Sequence, residues 1–197
     1  MNRKILGIAV TLLAVAMLAS PVMATPKESS PAWYNVDATD TYYEVTYEDL
    51  TEMCLAAGLS ENPYPPPTTP TIYTVNGVDH KDGASAYYIF SIEIGSTVYT
   101  GVACSVYDET FTWSTFTLRQ LHKSTHYFGE FGDMNHGFKG TVTVFLQYTS
   151  MTAFYFIANW ALEGFGHFTG QSLTLTQDSR TDIIASGTCL VLGNRYK

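Results

Sequence analysis

SAYYIFSIEIGSTVYTGVACSVY, residues 85–107, is the stretch that decides the predicted fold. In its first half, every second residue is apolar, so one face of a strand would carry Ala86, Tyr88, Phe90, Ile92 and Ile94. Its second half would likewise place on one face Val98, Thr100, Val102, Cys104 and Val106. Between the halves, Gly95 and Ser96 are typical of a tight turn. The stretch therefore predicts a β-hairpin.

Most of the chain beyond Thr71 continues this strand pattern. Five further segments have it, at residues 111–120, 140–148, 153–162, 171–177 and 183–193. Strands that recur without intervening helices favour an antiparallel meander, either closed as a β-barrel or folded as a β-sandwich. We expect an all-β barrel, because closure removes the edges that uncharged, aromatic strands would otherwise expose.

One short N-terminal helix precedes the strands, and its signals lie in TYEDLTEMCLAAG, residues 46–58. Thr46 can cap the helix, and Gly58 can end it. Apolar residues at helical spacing predict a helix over residues 47–57. The proline-rich stretch that follows, residues 61–70, predicts an extended linker.

The N-terminal residues resemble an export signal. Arg3 and Lys4 precede a long uncharged stretch, which ends in small residues up to Ala24. This layout predicts a signal peptide over residues 1–24, and an uncleaved membrane anchor is the alternative. We expect a secreted or cell-surface protein with a mobile leader at 25–40 and one domain at 41–197. After cleavage we expect no membrane association.

Composition and charge limit the partners. The chain has 197 residues, is 46% hydrophobic and 14% charged, and carries a formal charge of −8. It is long enough for one domain with a core. Phosphate backbones would be repelled by the acidic chain, so we do not expect a nucleic-acid partner.

A glycine-rich segment, EGFGHFTGQSLTLTQ at residues 163–177, invites comparison with a phosphate-binding loop. A dinucleotide loop needs the spacing G-x-G-x-x-G and must open a helix. Here Gly166 and Gly170 are one residue too far apart, and alternating strand residues follow them. The segment therefore predicts a hairpin connection, with Gly164, Gly166 and Gly170 in structural roles.

The same segment resembles the glycine-rich end strand of allene oxide cyclase-like and dirigent-type barrels. It is also similar to the C-terminal segment of an uncharacterised family of secreted prokaryotic β-barrel proteins. The resemblance covers about residues 159–192 and includes Phe168 beside the three glycines. It implies a barrel and carries over no catalytic residue.

Three histidines fall close together at His122, His126 and His136, with Asp133 nearby. On a helix, His122 and His126 could share a zinc ion. On a strand they would lie about 13 Å apart, too far for one metal. Because strands flank the segment, we interpret these residues as solvated loop histidines and expect neither a metal nor a cofactor.

The residues around Trp160 suggest a ligand site. Aromatic side chains would occupy both faces of the segment 153–162, and an isolated amide, Asn159, lies among them. Such a set is typical of a small-molecule pocket in a barrel, so Asn159 and Trp160 are the candidate ligand-binding residues. No nucleophile motif accompanies them, and Glu163 with His167 is interpreted as a surface pair.

These observations favour a secreted, non-enzymatic β-barrel that binds a small apolar or aromatic ligand or acts as a surface module. The first alternative is a cofactor-free cyclase or isomerase acting in the barrel interior, as the cyclase resemblance implies. The second is a carbohydrate-binding module that uses exposed aromatic rings.

The cysteines are odd in number, Cys54, Cys104 and Cys189. An exported chain permits a disulfide. Cys104 would pack as a small hydrophobe on its strand, which leaves Cys54 and Cys189 as the predicted pair. Three reduced, buried thiols are the alternative.

Overall fold

The predicted hairpin is formed by strands β4 (Val78–Ile94) and β5 (Thr97–Thr112). The computed structural model describes residues 32–38, 42–94, 96–150, 153–180 and 185–191. The β4–β5 ladder runs from Ile94 opposite Thr97 to Val78 opposite Thr112. A bulge interrupts it between Lys81 and Ala84, where Gly83 has a φ of 75°.

The described residues form ten strands, one α-helix and one 3₁₀ turn. The other elements are β1 (Ala32–Ala38), β2 (Tyr42–Val45), α1 (Tyr47–Ala56), β3 (Thr71–Val75), β6 (Thr117–Phe128), β7 (Gly137–Tyr148), β8 (Phe154–Phe165), the 3₁₀ turn (Gly166–Phe168), β9 (Gln171–Asp178) and β10 (Ala185–Val191). Helix α1 begins as predicted, because the Thr46 hydroxyl accepts the backbone N–H of Asp49 at 3.0 Å. It ends one residue before the predicted boundary.

All strand pairs are antiparallel, in the order β1–β10–β9–β8–β7–β6–β5–β4–β2, with β3 beside β4. The prediction of a mostly antiparallel β fold with one short helix is confirmed. The predicted barrel is not established by these ladders, which a sandwich or an open sheet fits equally. At the place where a barrel would close, β1 pairs with β4 at Val36 and Asp37 among the described residues.

Only part of the N-terminal region for which we made predictions is described by the structure. The predicted leader at 25–40 contains strand β1, so residues 32–38 belong to the sheet instead. The predicted signal peptide at 1–24 lies outside the described residues. Among the described residues, no helix combines the length and apolar character that crossing a membrane requires.

One face of the sheet, which we call the inner face, carries the larger apolar cluster. Its side chains come from seven strands and the 3₁₀ turn, and each large one contributes about 2 kcal/mol on burial. The buried members are Phe90, Ile92, Ala103, Phe128, Phe138, Val142, Ala158, Trp160, Leu162, Phe168, Leu173, Leu175 and Cys189.

The opposite, outer face of β4 and β5 is covered by α1 and the linker that follows it. Leu50 and Cys54 of the helix pack with Val102 and Cys104 of β5. The linker is anchored there by Tyr64, whose hydroxyl accepts the backbone N–H of Gly132 at 3.2 Å. The predicted apolar face of β5 therefore meets the helix, while its other face lines the inner core.

The glycine-rich segment is a hairpin connection, as predicted. It joins β8 to β9, which pair antiparallel from Ile157–Asp178 to Glu163–Ser172. Gly166 and Gly170 have φ values of 60° and 84°, which favour glycine. Gly164 meets a different demand, because a Cβ there would overlap the carbonyl oxygen of Phe168.

The predicted Cys54–Cys189 disulfide is wrong. All three cysteines are free and buried. Cys54 lies in the outer cluster and Cys189 in the inner one. Phe90 of the inner cluster and Tyr87 of the outer one lie on opposite faces of the same strand. The sheet therefore separates the two thiols.

We expect Gly164→Ala to destabilise the protein by about 3 kcal/mol, because the new methyl group would overlap backbone that cannot move without distorting the hairpin. The control is Gly77→Ala, which has open space but a φ of 76°, and which we expect to cost about 1 kcal/mol. Urea unfolding followed by circular dichroism measures both. Equal losses would contradict the steric account.

We also expect the native thiols to resist alkylation and all three cysteines to react after unfolding without reductant. Burial protects them, and it raises the pKa of both Cys104 and Cys189 to about 12. Iodoacetamide labelling followed by peptide mass spectrometry gives the count. A disulfide-linked peptide, or rapid labelling of the folded protein, would contradict this expectation.

Candidate functional site

Strand β6 places a row of polar side chains on the inner face. Gln120, His122, Ser124 and His126 alternate along it, and the apolar Phe128 continues the row. His122 is 5% exposed and His126 is 2% exposed. The interpretation of these two residues as solvated loop histidines is therefore wrong, because the strand carries on through the segment and turns both rings inward.

This row lines a cavity of about 220 Å³. The cavity lies among strands β2 and β4 to β9, and none of the described residues that line it is charged. They are Tyr42, Tyr88, Ser105, Gln120, His122, Ser124, His126, Val142, Val144, Phe156, Ala158, Trp160 and Gln177.

His122 is held by a chain of hydrogen bonds. Gln120 donates its amide to Glu109 Oε2 at 2.6 Å, so its carbonyl oxygen is left to accept from His122 Nε2 at 3.1 Å. The His122 ring also stacks on Tyr107, with centroids 4.8 Å apart. Burial lowers the pKa of His122 to about 4, so this imidazole is neutral at pH 7.

His126 is more buried than His122, and its hydrogen-bond contact is longer. Its Nδ1 lies 3.4 Å from the hydroxyl of Ser124, and its Nε2 has no hydrogen-bond partner among the described residues. Burial lowers its pKa to about 3. The buried hydroxyl of Tyr42 also lacks a partner there, and burial raises the pKa of that phenol well above its usual range.

Aromatic rings form the apolar part of the cavity wall around Tyr42. The Tyr42 ring lies 5.7 Å from His126, 5.8 Å from Trp160 and 6.3 Å from Tyr88, measured between centroids. It also stacks on Phe90 at 5.9 Å. A planar ligand would therefore meet ring faces and edges on this side of the cavity.

The two residues predicted from the sequence to bind a ligand are not brought together. Trp160 lines the cavity and is 8% exposed. Asn159, its neighbour along the strand, is exposed on the opposite face. There its side-chain oxygen accepts a hydrogen bond from the Thr176 hydroxyl at 3.1 Å.

The remaining histidine candidates lie near the hairpin connection. His136 stacks on His167 with ring centroids 4.7 Å apart, and its Nδ1 lies 3.5 Å from an oxygen of Asp133. Glu163, predicted to pair with His167, is exposed and sits opposite Lys139 in the β7–β8 ladder. No group of three or more His, Cys, Asp or Glu side chains in the described ranges could hold a metal ion.

The geometry of the cavity supports binding better than proton transfer. A general base works best when its pKa lies near the working pH. The pKa of His126 is about 3, so this residue accepts a proton weakly at pH 7. The Ser124–His126 distance of 3.4 Å is also longer than the contact of an activated nucleophile with its base.

Comparison with known proteins adds no relative. No protein-family model, curated protein or solved structure matches this chain.

We expect the protein to lose stability in acid because of the two buried imidazoles. Their folded pKa values, about 4 and 3, lie below the usual 6.5, so the unfolded chain binds more protons as the pH falls. Their contribution is complete above about pH 6.5, and each histidine costs about 1.4 kcal/mol of unfolding free energy per pH unit between about pH 6 and pH 4.

Urea unfolding at several pH values measures this slope. The double variant His122→Gln/His126→Gln should have a flatter acid limb than the wild type. His167→Gln, on an exposed histidine of the 3₁₀ turn, is the control and should leave the slope unchanged. An equally steep limb in the double variant would show that other groups cause the acid sensitivity.

Proposed function

We propose that this protein is a secreted, non-enzymatic β-barrel that binds a small apolar or aromatic ligand in the cavity of its inner face. The carrying observation is a half-open, uncharged cavity walled by Tyr42, Tyr88, Phe156 and Trp160. Ligand pockets commonly combine such apolar walls with a few fixed polar groups. The polar row of β6 supplies those groups.

Closure of the sheet as a barrel is part of this proposal. Strands β1 and β2 both lie antiparallel to β4, with Val36 opposite Ile94 and Tyr42 opposite Phe90. Since β1 also pairs with β10 over seven residues, its pairing with β4 would join the two ends of the meander.

The cavity volume limits the ligand to a compact molecule. A dry cavity of about 150 Å³ lined by apolar side chains accommodates benzene. A cavity of about 220 Å³ therefore has room for one ring with a short substituent.

Export remains part of the proposal and is supported by the N-terminal sequence. Arg3 and Lys4, the uncharged stretch and the small residues before Ala24 follow the order of a secretory signal. We propose that a soluble domain remains after cleavage.

Exposed aromatic side chains offer less support for the carbohydrate-binding alternative. Trp113 and Phe154 are each more than half exposed. The Trp113 ring stands at 83° to Phe111, and Tyr148 is tilted by 58° against Phe154. A sugar that stacks on two rings at once needs them coplanar, and these two pairs are inclined.

Binding of toluene tests the proposed function. We expect toluene to shift amide resonances of cavity residues in ¹H–¹⁵N spectra and to raise the melting temperature. Ala158→Leu should abolish both effects, because Ala158 lines the cavity and a larger side chain would fill it.

The matched control is Ala161→Leu, on the exposed face of the same strand, which should bind like the wild type. Circular dichroism verifies that both variants are folded. Absence of toluene binding by the wild type, or binding that is unchanged in folded Ala158→Leu, would overturn the proposal.

A further inference from the structure

Two polar atoms of the cavity wall are buried without a hydrogen-bond partner among the described residues. They are the hydroxyl of Tyr42 and Nε2 of His126. Buried polar groups in folded proteins are almost always paired, because burial removes the hydrogen bonds that water would make. A partner from outside the chain would therefore stabilise each unpaired atom, and it could reach them only when neighbouring side chains shift, because neither atom is accessible to water in this structure.

The two atoms belong to side chains that face the same space. Both residues line the cavity, and their rings meet edge to face with centroids 5.7 Å apart. One small polar group entering beside the rings would be near both side chains.

The hydrogen-bonding capacity of the two atoms limits the chemistry of that group. The Tyr42 hydroxyl can donate or accept. Nε2 of His126 donates or accepts according to the tautomer, which depends on whether Ser124 donates to Nδ1 or accepts from it at 3.4 Å. A ligand hydroxyl can donate and accept, so it pairs with Nε2 in either tautomer, whereas a carbonyl oxygen can only accept.

The charge of the cavity disfavours ionic ligands. No lining residue among those described carries a formal charge at pH 7, because both imidazoles are neutral there. A carboxylate or an ammonium group would lose its hydration without gaining an opposite charge. The carboxylate of Glu109 already accepts a hydrogen bond from the lining residue Gln120, so the lining favours a neutral ligand.

We propose that the cavity binds a neutral, one-ring compound that carries a hydroxyl group, with the ring against Trp160 and the hydroxyl bonded to Tyr42 and His126. This inference rests on the proposed function and specifies its ligand class. The ring would replace water at the aromatic wall, and the hydroxyl would satisfy both unpaired atoms.

Isothermal titration calorimetry at pH 7 with four probes of similar size tests the inference. The probes are p-cresol, toluene, p-toluate and 4-methylbenzylammonium. We expect p-cresol to bind at least 10-fold more tightly than toluene, and the two ions to bind more weakly than toluene.

Tyr42→Phe removes one hydroxyl and keeps the ring. We expect it to weaken p-cresol binding about 10-fold and to leave toluene binding within about twofold of the wild type. The control is Tyr43→Phe, whose hydroxyl lies on a side chain that is 57% exposed, and it should change neither affinity. His126→Phe, with the fold verified by circular dichroism, should weaken p-cresol binding in the same way.

The outcomes separate this inference from the function on which it rests. If toluene binds and p-cresol binds no more tightly, or if Tyr42→Phe keeps the full preference for p-cresol, the hydroxyl assignment is wrong and the binding function stands. Tighter binding of either ion than of p-cresol also overturns the assignment. If none of the probes binds, the proposed function itself fails.

Discussion

The β4–β5 ladder is the constraint on which the rest of the structure depends. Side chains of a strand alternate between two faces, so a long paired hairpin must find cover on both. Here Phe90 and Ala103 pack into the inner cluster, whereas Tyr87, Val102 and Cys104 face the helix. The remaining strands extend the inner face from β5 outward, and α1 with its linker covers the outer one. The fold thus has two apolar clusters separated by one sheet.

The inner face is apolar at one end of the strands and partly polar farther along, and the candidate site lies in the polar part. At one end Phe168 of the 3₁₀ turn packs against Phe128 and Phe138 with centroids 5.0 Å apart in both pairs, which covers that end of the inner face with rings. Farther along β6, the same face carries His126, Ser124 and His122 in place of phenylalanine. These polar side chains line the cavity, whereas the rings at the other end pack against one another.

The alternating and turn-forming segments were predictable from the sequence, since local patterns determine them. The hairpin, the Thr46 cap and the glycine connection follow from spacing alone. The Asn76–Gly77 turn between β3 and β4 was missed, although Asn-Gly is a strong hairpin signal. The inward orientation of the histidines was not predictable from the pattern, because β6 reverses the usual arrangement. Its inner face carries polar side chains, and Leu121 on its outer face is 46% exposed. The error on Cys54 and Cys189 has another cause: chain position does not determine which face of a sheet a side chain occupies.

The outer cluster also explains how the protein can keep an unsatisfied inner wall. Tyr42 OH and His126 Nε2 have no partner in the described part of the chain, and a buried group left so costs about 1–3 kcal/mol, a large part of the usual stability of a domain. Leu50, Cys54 and Tyr64 are at most 2% exposed, and they stabilise the β4–β5 ladder from the side away from the cavity. The sheet is therefore stabilised independently of its polar end. If the proposed ligand pairs the two atoms, it would recover the stability lost there, and binding would be coupled to folding through the same two side chains.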